Sequence, residues 1–432
     1  MKVCVAGLWH LGSVTAACVA ASGHRVSGYD DAADIVHGLQ QGAPPLFEPG
    51  LAELVRAGLD AGVLSFHTDA CAALKDADVV WVTYDTPVDD SDRADEAYVA
   101  QRVAALFPHL RDGALVLISS QLPVGTTRAL AKACTAARPD AHIAFAYSPE
   151  NLRLGNAIET FTKPGRVVVG VMNAESRRRI AALLQPITET IVWMSVESAE
   201  MTKHALNAFL ATSVTFINEI ARICEAVGAD AREVEQGLKS DMRIGARAYL
   251  KPGAAFAGGT LARDVVFLQQ LSAQHGLRAP LIHAVTASNE AHKSWASECV
   301  ARCVTPLRGA IIAVWGLTYK PGTSTLRRSA ALELCVWLQQ QGARVQAHDP
   351  AVAKLPETLR DAQLCATPLE AARGAHALVL ATEWPEYRQL DTAAVVAALA
   401  APNVIDANGF LSTTLGADAR VVYHTVGSTR RT

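Results

Sequence analysis

Short apolar runs alternate with amphipathic stretches through the first part of the chain. The runs are rich in Val, Ile and Ala and have the length of strands that are buried on both faces. The stretches between them suit helices, so the rhythm predicts a parallel sheet flanked by helices. The runs are VCVAG at 3–7, RVSGYD at 25–30, DVVWVT at 78–83, ALVLIS at 114–119, HIAFAYS at 142–148 and RVVVGV at 166–171.

A long helix is predicted between Ser198 and Gly228, because this stretch lacks proline and ends in a glycine. Its apolar residues cover several faces, which is typical of a helix buried on two sides, between domains or between subunits of a dimer. From about Leu307 the strand and helix rhythm returns. Its segments are AIIAVWGL at 310–317, the helical ALELCVWLQQQG at 331–342, RVQAHDP at 344–350, HALVLAT at 376–382 and NVIDAN at 403–408.

The predicted fold is therefore α/β, with two Rossmann-like, doubly wound parallel-sheet domains joined by a long central helix and a helical region. The predicted boundaries are 1–195 for the first Rossmann-like domain, 196–300 for a central helical and dimerisation domain, and 301–432 for the second Rossmann-like domain.

Composition narrows the class of protein. Half of the 432 residues are hydrophobic (50%) and 19% are charged, which is typical of a compact enzyme. With 39 Lys and Arg against 42 Asp and Glu, the net charge of -3 argues against nonspecific binding to nucleic acid or membranes. No signal peptide is visible, and no apolar stretch reaches the roughly 20 residues that span a bilayer. A soluble, cytoplasmic protein is expected.

The nine cysteines are odd in number and include no CxxC pair. This pattern predicts neither a zinc site nor a disulfide framework, and no metal is expected.

A dinucleotide signature follows the first strand. Gly7 and Gly12 frame a turn into a predicted helix, whose N-terminal N–H groups would face a pyrophosphate. Asp30 ends the next strand, where a carboxylate accepts hydrogen bonds from the adenosine ribose and repels a 2′-phosphate, which favours NAD over NADP. Trp9 stands where a second glycine is usual, so a Rossmann-like domain with a degenerate dinucleotide site is the alternative.

Ten segments together resemble the UDP-glucose/GDP-mannose dehydrogenase family, in order and over nearly the whole chain. They are GLWHLG at 7–12 with Asp30, FEPGL at 47–51, DTP at 85–87, LPVGTT at 122–127, SPENLRLG at 148–155, AEMTKHALNAFLATSVTFINEI at 199–220, RIG at 243–245, KPGAAFAGGTLARD at 251–264, GLTYKPGTSTLRRS at 316–329 and TEWPEY at 382–387.

The resemblance implies a homodimer that uses NAD to oxidise the C6 alcohol of a nucleotide sugar to an acid in two steps. It also implies the residues that bind the cofactor. These are Gly7, Trp9, His10, Leu11, Gly12, Asp30, Thr86, Pro87, Gln121 and Arg327. Among them, His10 is interpreted as mainly structural, as is His204 beside the helix lysine.

Four catalytic residues match the family's motifs. Lys203 and Asn207 are four residues apart on the predicted helix, so they share a face and could hold a developing alkoxide. Asp264 matches an aspartate that positions water or accepts the hydroxyl proton, and a helix N-cap is its alternative role. Glu150 matches a glutamate that resembles a base for thioester hydrolysis.

The family's nucleophilic cysteine has no counterpart. A gapless alignment puts Thr260 at its position, and an alignment with a one-residue deletion puts Leu261 there. Gln121 stands for a water-positioning threonine and Leu154 for a second glutamate. An alkyl hydroxyl is a far weaker acid than a thiol, so a step through a thioester is expected to be lost or slow.

Substrate binding is expected mainly from cationic side chains. Lys320 and Arg327 match the residues that hold the nucleotide diphosphate, and Arg328 adds a positive charge that either meets an acidic ligand or is simply solvated. The full substrate-binding set is Glu150, Asn151, Leu152, Lys203, Arg243, Arg247, Phe256, Gly258 and Lys320.

The predicted function is an NAD-dependent oxidoreductase acting on a nucleotide-linked or similarly anionic sugar, limited to a two-electron step. Three alternatives stay open: a complete four-electron 6-dehydrogenase that forms a uronic acid, a non-catalytic nucleotide-sugar-binding homologue, and a β-hydroxyacid-type dehydrogenase.

Overall fold

The computed structural model describes residues 1–87, 95–150, 152, 154–257 and 259–428. These divide into two compact units, Met1–Ala205 and Leu206–Thr432. Each unit contains one sheet with helices on its faces.

The first unit holds an eight-stranded sheet in the order β3-β2-β1-β4-β5-β6-β7-β8. The chain reverses its direction of winding between β1 and β4, which is where open α/β sheets place their ligands. The strands are β1 Lys2–Ala6, β2 Arg25–Tyr29, β3 Leu64–His67, β4 Val79–Val82, β5 Leu115–Ile118, β6 Ala144–Tyr147, β7 Val167–Val171 and β8 Ile191–Met194.

Every apolar run singled out in this unit forms a strand. One local difference from a purely parallel sheet is that β6 and β7 pair antiparallel, while β7 and β8 pair parallel with each other. Strands β3 and β8 were not predicted, because they form the edges of the sheet and many of their side chains are half exposed.

Two apolar clusters cover the two faces of this sheet. Val3 and Val5 belong to one cluster, whereas Cys4 and Ala6 belong to the other, as strand alternation requires. The helices of this unit are α1 His10–Ala21, α2 Ala33–Gln40, α3 Leu51–Asp60, α4 Ala70–Leu74, α5 Glu96–Leu106, α6 Thr126–Ala137, α7 Ala157–Thr162 and α8 Ala174–Leu184, with a 3-10 turn at Phe107–His109.

The predicted long helix is confirmed as α9, Val196–Val227. Its first turns belong to the first unit and the rest to the second. Four helices follow it in the second unit. They are α10 Ala231–Ser240, α11 Thr260–Gln274, α12 Pro280–Lys293 and α13 Trp295–Cys303.

The second sheet is parallel throughout, in the order β11-β10-β9-β12-β13-β14. The predicted class of two Rossmann-like domains with a long central helix is therefore confirmed. The domain boundaries at 195 and 300 stay predictions. The elements are β9 Ile311–Trp315, α14 Ala330–Gln340, β10 Arg344–His348, β11 Gln363–Leu364, α15 Pro368–Ala372, β12 Ala377–Leu380, α16 Thr392–Ala398, β13 Asn403–Asp406 and β14 Val422–His424, with 3-10 turns at Glu357–Leu359, Pro385–Gln389 and Leu415–Ala417.

Among the described residues, no helix is both long and apolar enough to cross a bilayer.

Candidate active site

The turn between β1 and α1 needs both of its glycines. Gly7 has a φ of +96°, and a Cβ there would lie 2.8 Å from the Tyr84 nitrogen. A Cβ on Gly12 would lie 1.7 Å from the Gly7 oxygen. The Thr83 hydroxyl donates to that same oxygen at 2.7 Å. The turn is thus a cradle of closely packed backbone that admits no side chain at either glycine.

Helix α1 begins at His10, two residues earlier than the Gly12 start that the sequence suggested. Trp9 is its N-cap residue, has a φ of -67° and is 43% exposed. The position that usually holds a second glycine is therefore compatible with a side chain here, and the indole is not packed into the turn. Because the first N–H groups of a helix lack intrahelical partners, the residues present fit a pyrophosphate at this end of α1.

Asp30 directly follows β2 and is buried, with 7% of its surface exposed. Its Oδ2 accepts the Leu8 N–H at 2.7 Å, and its Oδ1 accepts the Ala32 N–H at 3.0 Å. Each carboxylate oxygen keeps a further lone pair, so Asp30 can still accept from ribose hydroxyls. When NAD binds, the turn at Gly7 and this carboxylate would hold it, and the nicotinamide would supply a hydride acceptor.

His10 does contact a structural partner. Its Nε2 lies 2.9 Å from Oε2 of Glu48, which is buried and also accepts the Gly155 and Ala157 N–H groups at 2.8 Å each. Burial alone would raise the pKa of Glu48, but these hydrogen bonds hold it below its usual value. Glu48 therefore ties α1 to the segment after β6. Glu48 lies in the FEPGL motif, but the sequence gives no sign of this structural role.

The loops after β4 and β5 are joined by a hydrogen bond from the Thr86 hydroxyl to the Gln121 carbonyl oxygen, at 2.7 Å. Pro87, beside Thr86, is exposed, and Leu11 in the first turn of α1 is half-buried. The sheet brings these two loops to the same edge as the glycine turn, because β1, β4 and β5 are parallel neighbours.

The first turns of α9 fasten the LPVGTT loop. The carboxylate of Glu200 is fully buried and accepts the Gly125 N–H at 2.6 Å, the Thr127 N–H at 2.9 Å and the Thr127 hydroxyl at 2.7 Å. Burial raises the pKa of Glu200, against these hydrogen bonds. His204 Nε2 lies 3.1 Å from the Leu122 oxygen, which agrees with a structural interpretation. Sequence reasoning missed Glu200, three residues before Lys203 in AEMTK.

Lys203 lies against the segment after β6. Its ammonium donates to the Glu150 carbonyl oxygen at 2.5 Å, and only 9% of the residue is exposed. The carboxylate of Glu150 accepts the Leu152 N–H, so it turns back on its own loop. The neighbouring Asn151 lies outside the described residues. Lys203 is thus a buried lysine held against the segment after β6, and an ammonium has two further N–H groups besides the one given to Glu150.

Asn207 and Asp264 are in direct contact. The Asn207 side-chain amide donates to Asp264 Oδ2, and Asp264 is fully buried. The alternative of Asp264 as a helix N-cap is wrong, because α11 begins at Thr260 and Gly259 precedes its first residue. Asp264 lies inside the first turns of α11, where it faces α9 instead of the helix end.

Thr260 is the first residue of α11 and is exposed, whereas Leu261 is half-buried. Leu261 packs with Ala208, Val265 and Val285 in a small apolar cluster. The gapless alignment therefore puts an accessible hydroxyl at the position of the nucleophile, and the other alignment puts a packed leucine there.

All nine cysteines are free thiols, and seven are buried. Burial raises the pKa of Cys4, Cys18, Cys299 and Cys335 to about 12 each. A thiol with such a pKa stays protonated at neutral pH, so it is a poor nucleophile. Among the described residues, no cluster of His, Cys, Asp and Glu could hold a metal ion.

The candidate phosphate-binding turn follows β9. Asp349 Oδ2 accepts the N–H groups of Leu317 at 2.7 Å and Thr318 at 3.0 Å, which fixes the start of this turn. The Lys320 ammonium lies 5.5 Å from the centre of the Tyr319 ring. Arg327 is exposed in the same turn, which therefore carries two cationic side chains.

Arg328, next in the chain, has a φ of +59° and is the one described non-glycine residue with a positive φ. A left-handed backbone costs a residue with a side chain about 1 kcal/mol or more. Arg327 and Arg328 directly precede Ser329, the N-cap residue of α14, so two basic residues lie next to the start of this helix.

The surroundings of three other expected substrate-binding residues give no further support for substrate binding. Arg243 is paired with Asp241 on the surface, with N···O distances of 2.7 and 3.0 Å. Arg247 is exposed. Phe256 packs against the apolar cluster of Leu261. Gly258 lies outside the described residues.

Models of three family domains match the chain. They are the NAD-binding domain of the UDP-glucose/GDP-mannose dehydrogenase family at residues 1–188, its central domain at 197–291 and its UDP-binding domain at 313–413.

Curated relatives and solved structures agree with this match. A UDP-glucose 6-dehydrogenase from Pseudomonas aeruginosa is 33% identical, covering 100% of this chain and 98% of the relative. One from Rhizobium meliloti is 34% identical, covering 94% of each chain. The structure of a UDP-glucose dehydrogenase from Pyrobaculum islandicum has a TM-score of 0.83 at 31% identity, covering 94% of this chain and 93% of that one. The chain therefore belongs to the UDP-glucose/GDP-mannose dehydrogenase family and is an NAD-dependent dehydrogenase.

Proposed function

We propose that this protein oxidises the primary alcohol of a nucleotide sugar, most simply a UDP-hexose, to the aldehyde and stops there. The observation that carries the proposal is the exposed Thr260 at the first position of α11, where the gapless alignment with the family's motif would put its cysteine. Because no described cysteine replaces it at that position, a thioester cannot form there.

The first oxidation needs groups that the chain retains. The hydroxyl oxygen would be held by the Lys203 ammonium and the Asn207 amide, one helical turn apart on α9. Asp264 would take the hydroxyl proton, and the hydride from the same carbon passes to NAD. The alcohol thus loses one proton and one hydride and becomes the aldehyde, with NADH and the protonated carboxyl as the other products.

The second oxidation lacks several of its groups. A thioester requires a thiolate, and the hydroxyl of Thr260 is a far weaker acid. Hydrolysis further requires a positioned water, for which Gln121 and Leu154 replace the threonine and glutamate of the family's motifs. The alternative of a four-electron enzyme would require Thr260 as the nucleophile or a route through a hydrated aldehyde.

The nucleotide moiety is supported by the UDP-binding family model, which spans both Lys320 and Arg327. Arg can bind a diphosphate through two parallel hydrogen bonds. The curated relatives above are named for UDP-glucose, which favours a UDP-sugar over a small hydroxy acid and favours an enzyme over a non-catalytic binding protein.

A homodimer through α9 is part of the proposal. Phe209, Phe216 and Ile223 recur every seven residues on this helix and are 67%, 47% and 57% exposed. Exposed apolar side chains at this spacing form one stripe that water solvates poorly.

The free state of all nine cysteines further supports a reducing, cytoplasmic location.

Stoichiometry tests the two-electron limit. The protein is incubated with NAD and UDP-, GDP- and dTDP-sugars, NADH is followed by absorbance, and products are weighed by mass spectrometry. We expect one NADH per sugar and an aldehyde or its hydrate. Two NADH per sugar and an acid product would show a complete 6-dehydrogenase instead.

Thr260→Cys extends this test. If the gapless alignment is correct, the variant forms some acid, whereas the matched Thr260→Ser variant forms none. No acid from Thr260→Cys would leave the alignment with Leu261 at the cysteine position, Gln121 or Leu154 as the cause of the block.

The dimer is tested separately by light scattering after gel filtration. Phe216→Glu is expected to give a monomer. Leu281→Glu, at a residue of α12 that is 64% exposed, is the control and should leave the mass unchanged. A monomeric parent protein would contradict the proposed dimer.

A further inference from the structure

The cofactor side of the first unit carries an arginine that the family motifs do not include. Arg102, on α5, forms an ion pair with Asp31, the residue that directly follows the ribose carboxylate Asp30. Its guanidinium carbon also lies 5.0 Å from the centre of the Tyr98 ring and 5.5 Å from that of Tyr84. Three partners thus hold one cation beside the end of β2.

Two carboxylates and one guanidinium lie together at the end of β2, where the adenosine ribose is expected. Asp30 is buried and gives one lone pair on each oxygen to Leu8 and Ala32. The side chain of Asp31 is 53% exposed and that of Arg102 is 25% exposed, so both can be reached from solvent. The Arg102 guanidinium holds the pKa of Asp31 below its usual value, and Asp31 in turn raises that of Arg102. Both groups are charged at neutral pH.

An arginine near the end of β2 can affect the choice between NAD and NADP. In Rossmann folds, a carboxylate at the end of the second strand selects NAD, whereas a nearby arginine accommodates the 2′-phosphate of NADP. Arg binds phosphate through paired hydrogen bonds, and its planar group stacks on aromatic faces as it does here on two tyrosines. This chain contains both the carboxylate that selects NAD, Asp30, and a nearby arginine, Arg102.

We infer that Asp31 sets the coenzyme preference of this protein by occupying Arg102. While the pair is intact, the guanidinium is neutralised and a 2′-phosphate meets Asp30 without compensation. When Asp31 is removed, the same guanidinium, held in place by Tyr84 and Tyr98, becomes a phosphate ligand. The inference rests on the NAD-binding assignment and is independent of how many electrons the sugar loses.

Binding measurements test it without any sugar substrate. Calorimetry gives the dissociation constants of NAD and NADP for the unaltered protein, Asp31→Asn, Arg102→Met and the double variant. We expect Asp31→Asn to improve the ratio of NADP to NAD affinity by about 10-fold or more. The double variant should lose this gain, and Arg102→Met alone should show none.

A second substitution and a control keep the result decisive. Asp31→Ser removes both the charge and the hydrogen-bond geometry and should shift the ratio in the same direction. Asp76→Asn removes an exposed carboxylate that pairs with Lys2, and it measures the effect of overall charge alone. Thermal unfolding checks that each variant is folded.

The inference is overturned if Asp31→Asn leaves the ratio unchanged, if its gain persists in the double variant, or if Asp76→Asn gives an equal gain. An unaltered protein that binds NAD but oxidises no nucleotide sugar would contradict the proposed function and leave the role of Asp31 standing.

Discussion

Asp30 and Asp349 make the same hydrogen bond in two separate sheets. Oδ2 of each accepts, at 2.7 Å, the N–H of the leucine that follows a left-handed glycine, Leu8 in the first sheet and Leu317 in the second. In both cases a serine near the start of the next helix donates back to that leucine, Ser13 at 2.7 Å and Ser329 at 2.6 Å. The two Rossmann-like domains thus share one way of fixing a turn, although the segment between glycine and helix is much longer in the second.

Asp349 should be important for stability. Besides Leu317, it accepts the Thr318 N–H at 3.0 Å, the Trp384 indole N–H at 3.1 Å and the Ala351 N–H at 2.8 Å. Asp349→Ala would leave buried donors without partners, so we expect a loss of about 3 kcal/mol in the free energy of unfolding. Urea titration measures this loss. A change below about 0.5 kcal/mol, the level of an ordinary surface substitution, would contradict this role.

Gly12→Ala is expected to disrupt the cofactor turn. Its methyl group would fall 1.7 Å from the Gly7 oxygen, so the backbone would have to move, at a cost of about 3 kcal/mol or more and with loss of NAD binding. Gly237→Ala is the matched control, because Gly237 lies inside α10 with no atom within 4 Å of the added methyl group. It should stabilise the protein by about 0.5 to 1 kcal/mol. Calorimetry measures NAD binding and thermal unfolding measures stability in both variants. Unchanged NAD binding and stability in Gly12→Ala would contradict this role of Gly12.

Asp264→Asn should separate chemistry from binding. It keeps the shape of the side chain but removes the base, and loss of a general base typically lowers kcat by about 10²- to 10⁴-fold. NAD affinity should stay within about 3-fold of the parent value, a change of less than 1 kcal/mol. Asp418→Asn, which removes the half-buried carboxylate partner of the exposed Arg420, should leave kcat unchanged. Retention of most turnover in Asp264→Asn would remove Asp264 from the proposed mechanism.

Mild acid should destabilise the second unit through His292. Burial lowers the pKa of His292 from 6.5, and its Nε2 lies 2.8 Å from the Gly253 oxygen. Because the unfolded chain then binds more protons than the folded one, the stabilisation is complete above about pH 6.5 and is lost as the pH falls through the lower folded pKa. His292→Gln cannot titrate and should weaken the decline in melting temperature between pH 7.5 and 5.5. Part of the decline in melting temperature should remain in this variant, because burial also lowers the pKa values of His24 and His348. An identical decline in parent and variant would exclude His292 as a cause.

The sequence predicts the central strands better than the edges. Runs such as DVVWVT and ALVLIS are apolar throughout, since β4 and β5 are covered on both faces. Strands β3 and β8 are edge strands of the first sheet, and β11 and β14 are short edge strands of the second, so their side chains carry a weaker apolar signal.

Contacts across the fold explain what the site prediction missed. The four-residue spacing of Lys203 and Asn207 follows from helical periodicity, but the contact between Asn207 and Asp264 joins residues 57 positions apart. Local patterning left an N-cap open as the alternative role of Asp264, because it cannot show which residue begins α11. Glu48 and Glu200 are likewise recognisable only from the backbone N–H groups that they accept, since a buried carboxylate and a solvated one look the same in sequence.

The burial of most cysteine thiols affects the sensitivity of this protein to oxidants and electrophiles. A cysteine that attacks an aldehyde must be an accessible thiolate, and accessible thiolates react with peroxide and alkylating agents. Here seven thiols are buried, and of the others Cys71 is exposed on α4 and Cys303 is half-buried at the end of α13. The proposed dehydrogenation at Lys203, Asn207 and Asp264 uses no sulfur, so on that proposal peroxide treatment that oxidises exposed thiols should leave turnover unchanged.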